Sequence, residues 1–168
     1  MVEALALCVF AALLIYAACS DVASLTIPNW VSLAMAGLFV PAAMLAGAPL
    51  YQIGLHLLFG LGVLVVGFFL FQANIIGGGD AKLLAAATVW TGFPAFAPFV
   101  FWTALAGGVM ALALLAARTF IKQAETNPSF VNRLLKHKGG IPYGVAIMAG
   151  GLMAIPALPF MTSPLTLP

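Results

Sequence analysis

The chain carries four acidic residues, Glu3, Asp21, Asp80 and Glu125. Asp80 stands in the stretch NIIGGGDAKLLAAA, residues 74 to 87, directly behind three glycines and within a markedly apolar region. An ionised carboxylate near a bilayer core costs about 2.5–3.5 kcal/mol on insertion scales, so its presence needs a reason. Taken singly, each aspartate has a plain structural one. Asp80 can cap a helix N-terminus, and Asp21 can close a first apolar helix at the membrane interface. Taken together they can do chemistry. Two carboxylates at one depth share a proton, one activating a water while the other supplies acid. Glycines beside one of them admit a substrate backbone without a side-chain clash. The combination suits hydrolysis of an amide bond by water.

The elements that must hold such a pair are apolar helices. Of the 168 residues, 64% are hydrophobic and only 6% charged, with a mean hydropathy of +1.18. Soluble domains average about 25% charged residues, and this chain cannot assemble a comparable water-facing surface. It reads as an all-α integral membrane protein, a single domain over residues 1–168. Segments of the roughly 20 residues needed to cross a bilayer fall near 3–20, 30–48, 52–72, 80–93, 95–117 and 140–160. The breaks are Pro28-Asn29, Ala48-Pro49, the glycine triplet, Gly92-Phe93-Pro94 and the polar stretch 118–139; Pro41, Pro98 and Pro156 lie inside spans. The fourth span is short, about 20 Å of helix. The glycine loop before it therefore dips into the membrane, or the bilayer thins there, and either places Asp80 below the headgroups.

Six spans make the connections alternate sides. Lys82, Arg118, Lys122, Arg133, Lys136 and Lys138 are the whole Lys/Arg complement. All six fall on the side shared by the connections after spans one, three and five, which makes that side cytoplasmic and puts both termini outside. Asp21 and Asp80 lie on the same cytoplasmic side. Cys8 and Cys19 are eleven residues apart on one helix, about 16 Å, too far for a disulfide and without the CxxC spacing of a zinc module. The first segment has no Lys or Arg ahead of it and reads as a retained span. No internal repeat is apparent.

Three ordered elements carry a resemblance. Asp21-Val-Ala-Ser-Leu-Thr-Ile-Pro-Asn29 places an aspartate six residues ahead of Ile-Pro-Asn. Gly77-Gly78-Gly79-Asp80 fits a GxGD signature, continued by Ala-Lys-Leu-Leu-Ala. Ile141-Pro142-Tyr143-Gly144 opens the last helix. In this order on six spans, they resemble the type IV prepilin leader peptidases, a family of GxGD intramembrane aspartyl proteases. The resemblance implies that Asp21 and Asp80 form the catalytic dyad. It implies that Pro28, Asn29, Gly77, Gly78, Gly79, Pro142, Tyr143 and Gly144 shape the substrate site around them. The implied substrate is a prepilin-type precursor with a short basic leader in the cytoplasm, cleaved without metal or cofactor in the cytoplasmic (inner) membrane. The bilayer is then the other partner, and nucleic acid is not one. The chain lacks the length and cysteines of the bifunctional, N-methylating members, so it looks like the peptidase-only form of tight-adherence (Flp-type) pilus systems. Archaeal preflagellin peptidases share the first two motifs and stay open.

The neighbours read more plainly. Lys82 lies roughly 200° round the helix from Asp80 and is expected to snorkel to the headgroups. Asn29 is expected to cap the second span. His56 falls toward the outer half of span three, as a packing or hydrogen-bonding residue. Residues 118–139 read as a cytoplasmic connection that sets topology and touches anionic lipid, with Glu125 its one acid. Helix ends suggest Asp80 as the starting base and Asp21 as the acid. Two other classes of function remain in view, a small transporter or channel and a non-catalytic pilus-assembly scaffold. The confinement of both aspartates to one side speaks against the first, and the intact glycine-aspartate motif gives the second no support.

Overall fold

The computed structural model describes residues 2–121, 127–136 and 139–158. The described residues are helical with no strand: α1 (Val2–Ser24), α2 (Asn29–Leu45), α3 (Leu50–Gln72), α4 (Gly78–Phe120), the short α5 (Ser129–Leu134), and α6 (Tyr143–Ala154), which runs into a 3-10 turn at Ile155–Ala157. Pro28, Pro49, Pro128 and Pro142 each stand immediately before a helix. A proline there loses nothing, because its missing N–H would have no intrahelical acceptor and its φ is already set. Three helices are long and apolar enough to cross a membrane: α1, α3 and α4. The helices Asn29–Leu45 and Tyr143–Ala157 are apolar but shorter.

A straight helix of the 43 residues of α4 would run about 65 Å, twice the roughly 30 Å of a bilayer's hydrocarbon. It is not straight. Gly92, with φ 56 and ψ −169, breaks it from within, and Pro94 follows. A side chain at Gly92 would be left-handed and would also collide with the His56 imidazole, so only glycine fits. The break falls at the Gly92-Phe93-Pro94 signal.

Close approaches give the relative directions. Along α3 and the first half of α4, Gly67 meets Ala81, Gly60 meets Val89, and His56 meets Gly92. These two segments are antiparallel. Along the second half of α4 and α6, Gly107 meets Tyr143 while Gly150 meets Thr103 and Phe99, again antiparallel. Asp21 against Gly144 and Leu14 against Gly151 make α1 antiparallel to α6. The chain therefore reverses at Gly92, and Asp21, Asp80 and Gly144 gather at one end of the bundle.

Burial is uneven in a way that water-soluble proteins do not allow. Residues 81–92 of α4 form the axis, with Trp90 fully buried, stacked on Phe10 and edge-on to Phe39, its indole N–H donating to the Met35 carbonyl at 2.8 Å. By contrast α3 buries only Ile53, Gly60 and Gly67, one residue every two turns, and leaves Leu55, Leu58, Leu61, Val66 and Phe69 exposed. Such a helix needs an apolar solvent.

Three boundaries differ from the sequence reading. α1 continues to Ser24, because Asp21 finds a buried partner and does not have to stop at an interface. Gly78 and Gly79 form the first turn of α4 with Gly77 as its N-cap, so only Gly77 remains outside the helix. The last helix ends at Ala154, and Pro156 sits in the 3-10 turn.

The glycines that permit helix contact should be the sensitive ones. A Cβ at Gly150 would overlap the Thr103 hydroxyl and lie 2.7 Å from the Phe99 carbonyl oxygen, whereas one at Gly108 meets nothing within 4 Å. In detergent, Gly150→Ala should cost about 1–3 kcal/mol and lower the melting midpoint by several degrees, while Gly108→Ala leaves it unchanged or raises it.

Candidate active site

Asp21 lies one turn from the end of α1 and is only 5% exposed. Its backbone carbonyl accepts the Leu25 N–H at 2.7 Å, closing the helix with Leu25 in the left-handed region at φ 55. A leucine in that conformation is strained by about 1–2 kcal/mol. Side chains hold the turn: the Ser20 hydroxyl donates to the Thr26 carbonyl at 3.0 Å, and the Ser24 hydroxyl to the Ser20 carbonyl at 2.8 Å. The turn drops Ile27 into the bundle, where it lies against both Gly79 and Gly144. One isoleucine thus spaces the start of α4 from the start of α6.

The Asp21 carboxylate accepts the Gly144 N–H at 2.7 Å in a buried hydrogen bond. That N–H belongs to the first turn of α6, where no intrahelical acceptor exists. Asp80 is the third residue of α4, and its carboxylate lies over Gly77, where an added Cβ would stand 2.7 Å from Oδ2. Gly77, not Asp80, holds the N-cap position of α4, so the plain reading of Asp80 as the helix cap does not hold. Asp80 shares one cleft with Asp21.

Both aspartates line one open cleft of about 840 Å³, together with Asn29, Gly77, Gly78, Gly79 and Tyr143 from the expected site. Thr26, Ile27, Phe71, Asn74 and Ile76 complete much of its wall. Pro28 and Pro142 stand behind it as the starts of α2 and α6. Gly144 contributes through its N–H. Among the described residues no group of three His, Cys, Asp or Glu side chains is placed to hold a metal ion.

A family model described as the type IV leader peptidase family matches residues 8–112. The chain belongs to this family. It is accordingly a peptidase by kinship, and with its three long apolar helices a multi-pass membrane protein. Asp21 and Asp80 both lie inside the matched residues, whereas Arg118 and Gly144 lie beyond them. Comparisons with curated proteins and with solved structures give no match.

Two neighbours differ from expectation. Asn29 does not cap α2; Pro28 holds that position, and the Asn29 side-chain oxygen instead accepts the Lys82 ammonium at 2.9 Å. Lys82 thus ties α4 to α2. Its helical angle relative to Asp80 gave no sign of this, because the partner comes from another helix. His56 packs as expected, stacked on Phe39 with Nδ1 2.8 Å from the Val89 carbonyl oxygen.

Arg118, expected to set topology and touch anionic lipid, instead holds the connection that leads to the site. Its Nε donates to the Leu134 carbonyl at 2.8 Å, and one terminal nitrogen donates to the carbonyls of Gly139 at 2.9 Å and Gly140 at 3.0 Å. Those residues lead straight into Ile141–Gly144. Arg133 similarly donates to the Ala23 carbonyl at 2.6 Å, beside the end of α1. The paired glycines 139 and 140 were the only sequence signal of a tightly held turn. Lys122, Glu125 and Lys138 lie outside the described residues.

A Cβ at Gly144 would sit 3.0 Å from the Asp21 carboxylate and 3.2 Å from Ile27. Gly144→Ala should lower kcat for leader cleavage at least about 10-fold, the scale of a lost hydrogen bond to a charged group, with a smaller change in KM. Arg118→Lys, which keeps the charge but cannot span the same carbonyls, should also lower kcat several-fold in that assay.

Proposed function

We propose that the chain is an aspartyl endopeptidase that removes the short leader from prepilin-type precursors at the cytoplasmic face of the membrane. The observation that carries this reading is the meeting of Asp21 and Asp80, 59 positions apart in sequence, across one cleft. The hydrolysis needs one water and no cofactor. One carboxylate, ionised, takes a proton from the water as its oxygen attacks the peptide carbonyl carbon. The other, protonated, gives its proton to the carbonyl oxygen. Collapse of the tetrahedral intermediate breaks the C–N bond: the departing amine takes up the proton first removed from water, and the second carboxylate recovers a proton from the diol hydroxyl that becomes the new carbonyl. The dyad ends with one proton shared, as it began. The Gly144 N–H holds the Asp21 carboxylate in place throughout, and the bare glycine backbone of residues 77–79 lets an extended peptide lie against the dyad.

The same reading treats residues 1–168 as one peptidase domain with six crossings and both termini outside. Arg118, Arg133 and Lys82 stand near the cleft end of the bundle, which supports assigning that end to the cytoplasm. The substrate's basic leader then lies in the cytoplasm, and its remainder enters the membrane. The chain acts in the cytoplasmic membrane.

Co-expression with a candidate prepilin tests the proposal through the mobility shift from precursor to mature protein. Asp21→Asn and Asp80→Asn should each reduce cleavage by about 10³-fold or more while the protein still accumulates in the membrane. Normal processing by either variant would remove the dyad from the mechanism.

A further inference from the structure

Asn74 closes α3 in a way that leaves its side chain idle. The helix ends at the C-cap Ala73, and Asn74 follows in the left-handed region at φ 57. Its N–H donates to the Phe71 carbonyl at 2.9 Å, and the Ile75 N–H donates to the Leu70 carbonyl, also at 2.9 Å. This is the Schellman ending of a helix, and backbone alone makes it. Glycine fills such a position as well as asparagine, so the turn does not account for a carboxamide there. The Asn74 side chain has no hydrogen-bond partner among the described residues, yet it lines the cleft that holds Asp21 and Asp80.

Asn29 lines the same cleft from the start of α2. The Lys82 ammonium can only donate, so its bond to Asn29 at 2.9 Å fixes which end of the amide is which. The oxygen is taken, and the nitrogen keeps two N–H donors with no acceptor among the described residues. The other neutral polar side chains of the cleft are already placed. The Thr26 hydroxyl pairs with that of Ser24 at 2.6 Å, and the Tyr143 hydroxyl lies over Gly107, 2.7 Å from where a Cβ would stand. An extended peptide entering the cleft gives up water on its N–H and C=O groups, and each of them needs a partner. A carboxamide carries the donor and the acceptor of a peptide group and matches one with two hydrogen bonds.

We propose that Asn74 and Asn29 bind the main chain of the substrate beside the scissile amide. Asn74 pairs with one peptide group through its N–H and its C=O. Asn29, its oxygen held by Lys82, donates to a second carbonyl. The proposal rests on the peptidase reading and adds to it a way of seating any extended junction, because main-chain groups are the same whatever the side chains. Both contacts form on binding and persist through the reaction, so their loss weakens binding and spares the chemical step.

The test uses the full chain in lipid nanodiscs and synthetic precursors with a basic leader, a junction and an apolar segment. Asn74→Gly keeps the left-handed turn and removes the amide. Asn29→Asp keeps an oxygen for Lys82, whose charge balances it, and removes the N–H donors. Each should raise KM about 3- to 10-fold, with kcat within about 2-fold of the parent and the melting midpoint unchanged. The rise should be the same for junctions with different side chains. Precursors in which single peptide bonds near the cut, but not the cut bond itself, are replaced by esters locate the partner of Asn74. At one position the ester, which lacks the N–H, should raise KM for the parent and raise it no further for Asn74→Gly. Unchanged KM in either variant, a loss confined to kcat, or ester effects equal in parent and Asn74→Gly at every position overturns the proposal. So does a KM rise confined to one junction sequence, which would make the contact one to a side chain. If Asn74→Gly does not accumulate in the membrane, Asn74→Asp, which also tolerates the turn and loses the N–H donors, must raise KM in its place. Asp21→Asn and Asp80→Asn variants that cleave normally end the peptidase reading. If they are inactive while the asparagine variants keep the parent KM, only the role of the asparagines falls.

Discussion

A carboxylate drawn out of water into an apolar bundle must be met by donors, and the Gly144 N–H on Asp21 is the bond on which the site depends. It joins residues 123 apart and draws the start of α6 onto the end of α1. Both partners are otherwise in deficit. The N–H is an orphan of a helix start, and the carboxylate is 5% exposed. Their union satisfies both at once and requires glycine, since a side chain would press on the same oxygen. Ile27 follows from the same geometry. It fills the space that Gly79 and Gly144 leave empty and so sets how far apart the starts of α4 and α6 stand.

Around that bond the bundle sorts its helices by solvent. The axis is the first half of α4, against which α2 and α3 pack and which α1 reaches through Phe10 on Trp90, while α6 packs on the second half. Residues 81–92 are alanine-rich because several neighbours approach one short segment from different sides. α3 is the opposite case, large and apolar all round with one buried residue every two turns. A soluble bundle would lose free energy by exposing it; a bilayer makes the exposure neutral.

Much of this was legible in the sequence, for identifiable reasons. Apolar length gave the helices, and Gly92-Phe93-Pro94 gave the reversal because a glycine and a proline together interrupt any helix. The acids were legible because four in 168 residues cannot be surface decoration. What remained hidden were contacts between elements that share no local pattern. Lys82 was placed by its angle on its own helix, and nothing in that angle reveals an asparagine arriving from α2. Arg118 looked like one more cytoplasmic charge, whereas its guanidinium serves three backbone carbonyls in the connection to α6. The buried end of α1 was misjudged for a related reason. A helix can carry an aspartate past the apolar limit when a donor waits more than a hundred residues downstream.

The break at Gly92 has a mechanical consequence. Asp80 stands twelve residues away along a stiff helical arm, about 18 Å long, and Gly92 is the pivot at its far end. A rotation of about 5° there displaces the carboxylate by roughly 1.5 Å, enough by simple leverage to separate aligned from misaligned reacting groups. The pivot is clamped by the His56 ring, itself wedged between Phe39 and the Val89 carbonyl. The placement of the Asp80 carboxylate is thus secured at the opposite end of the bundle from the cleft that it lines.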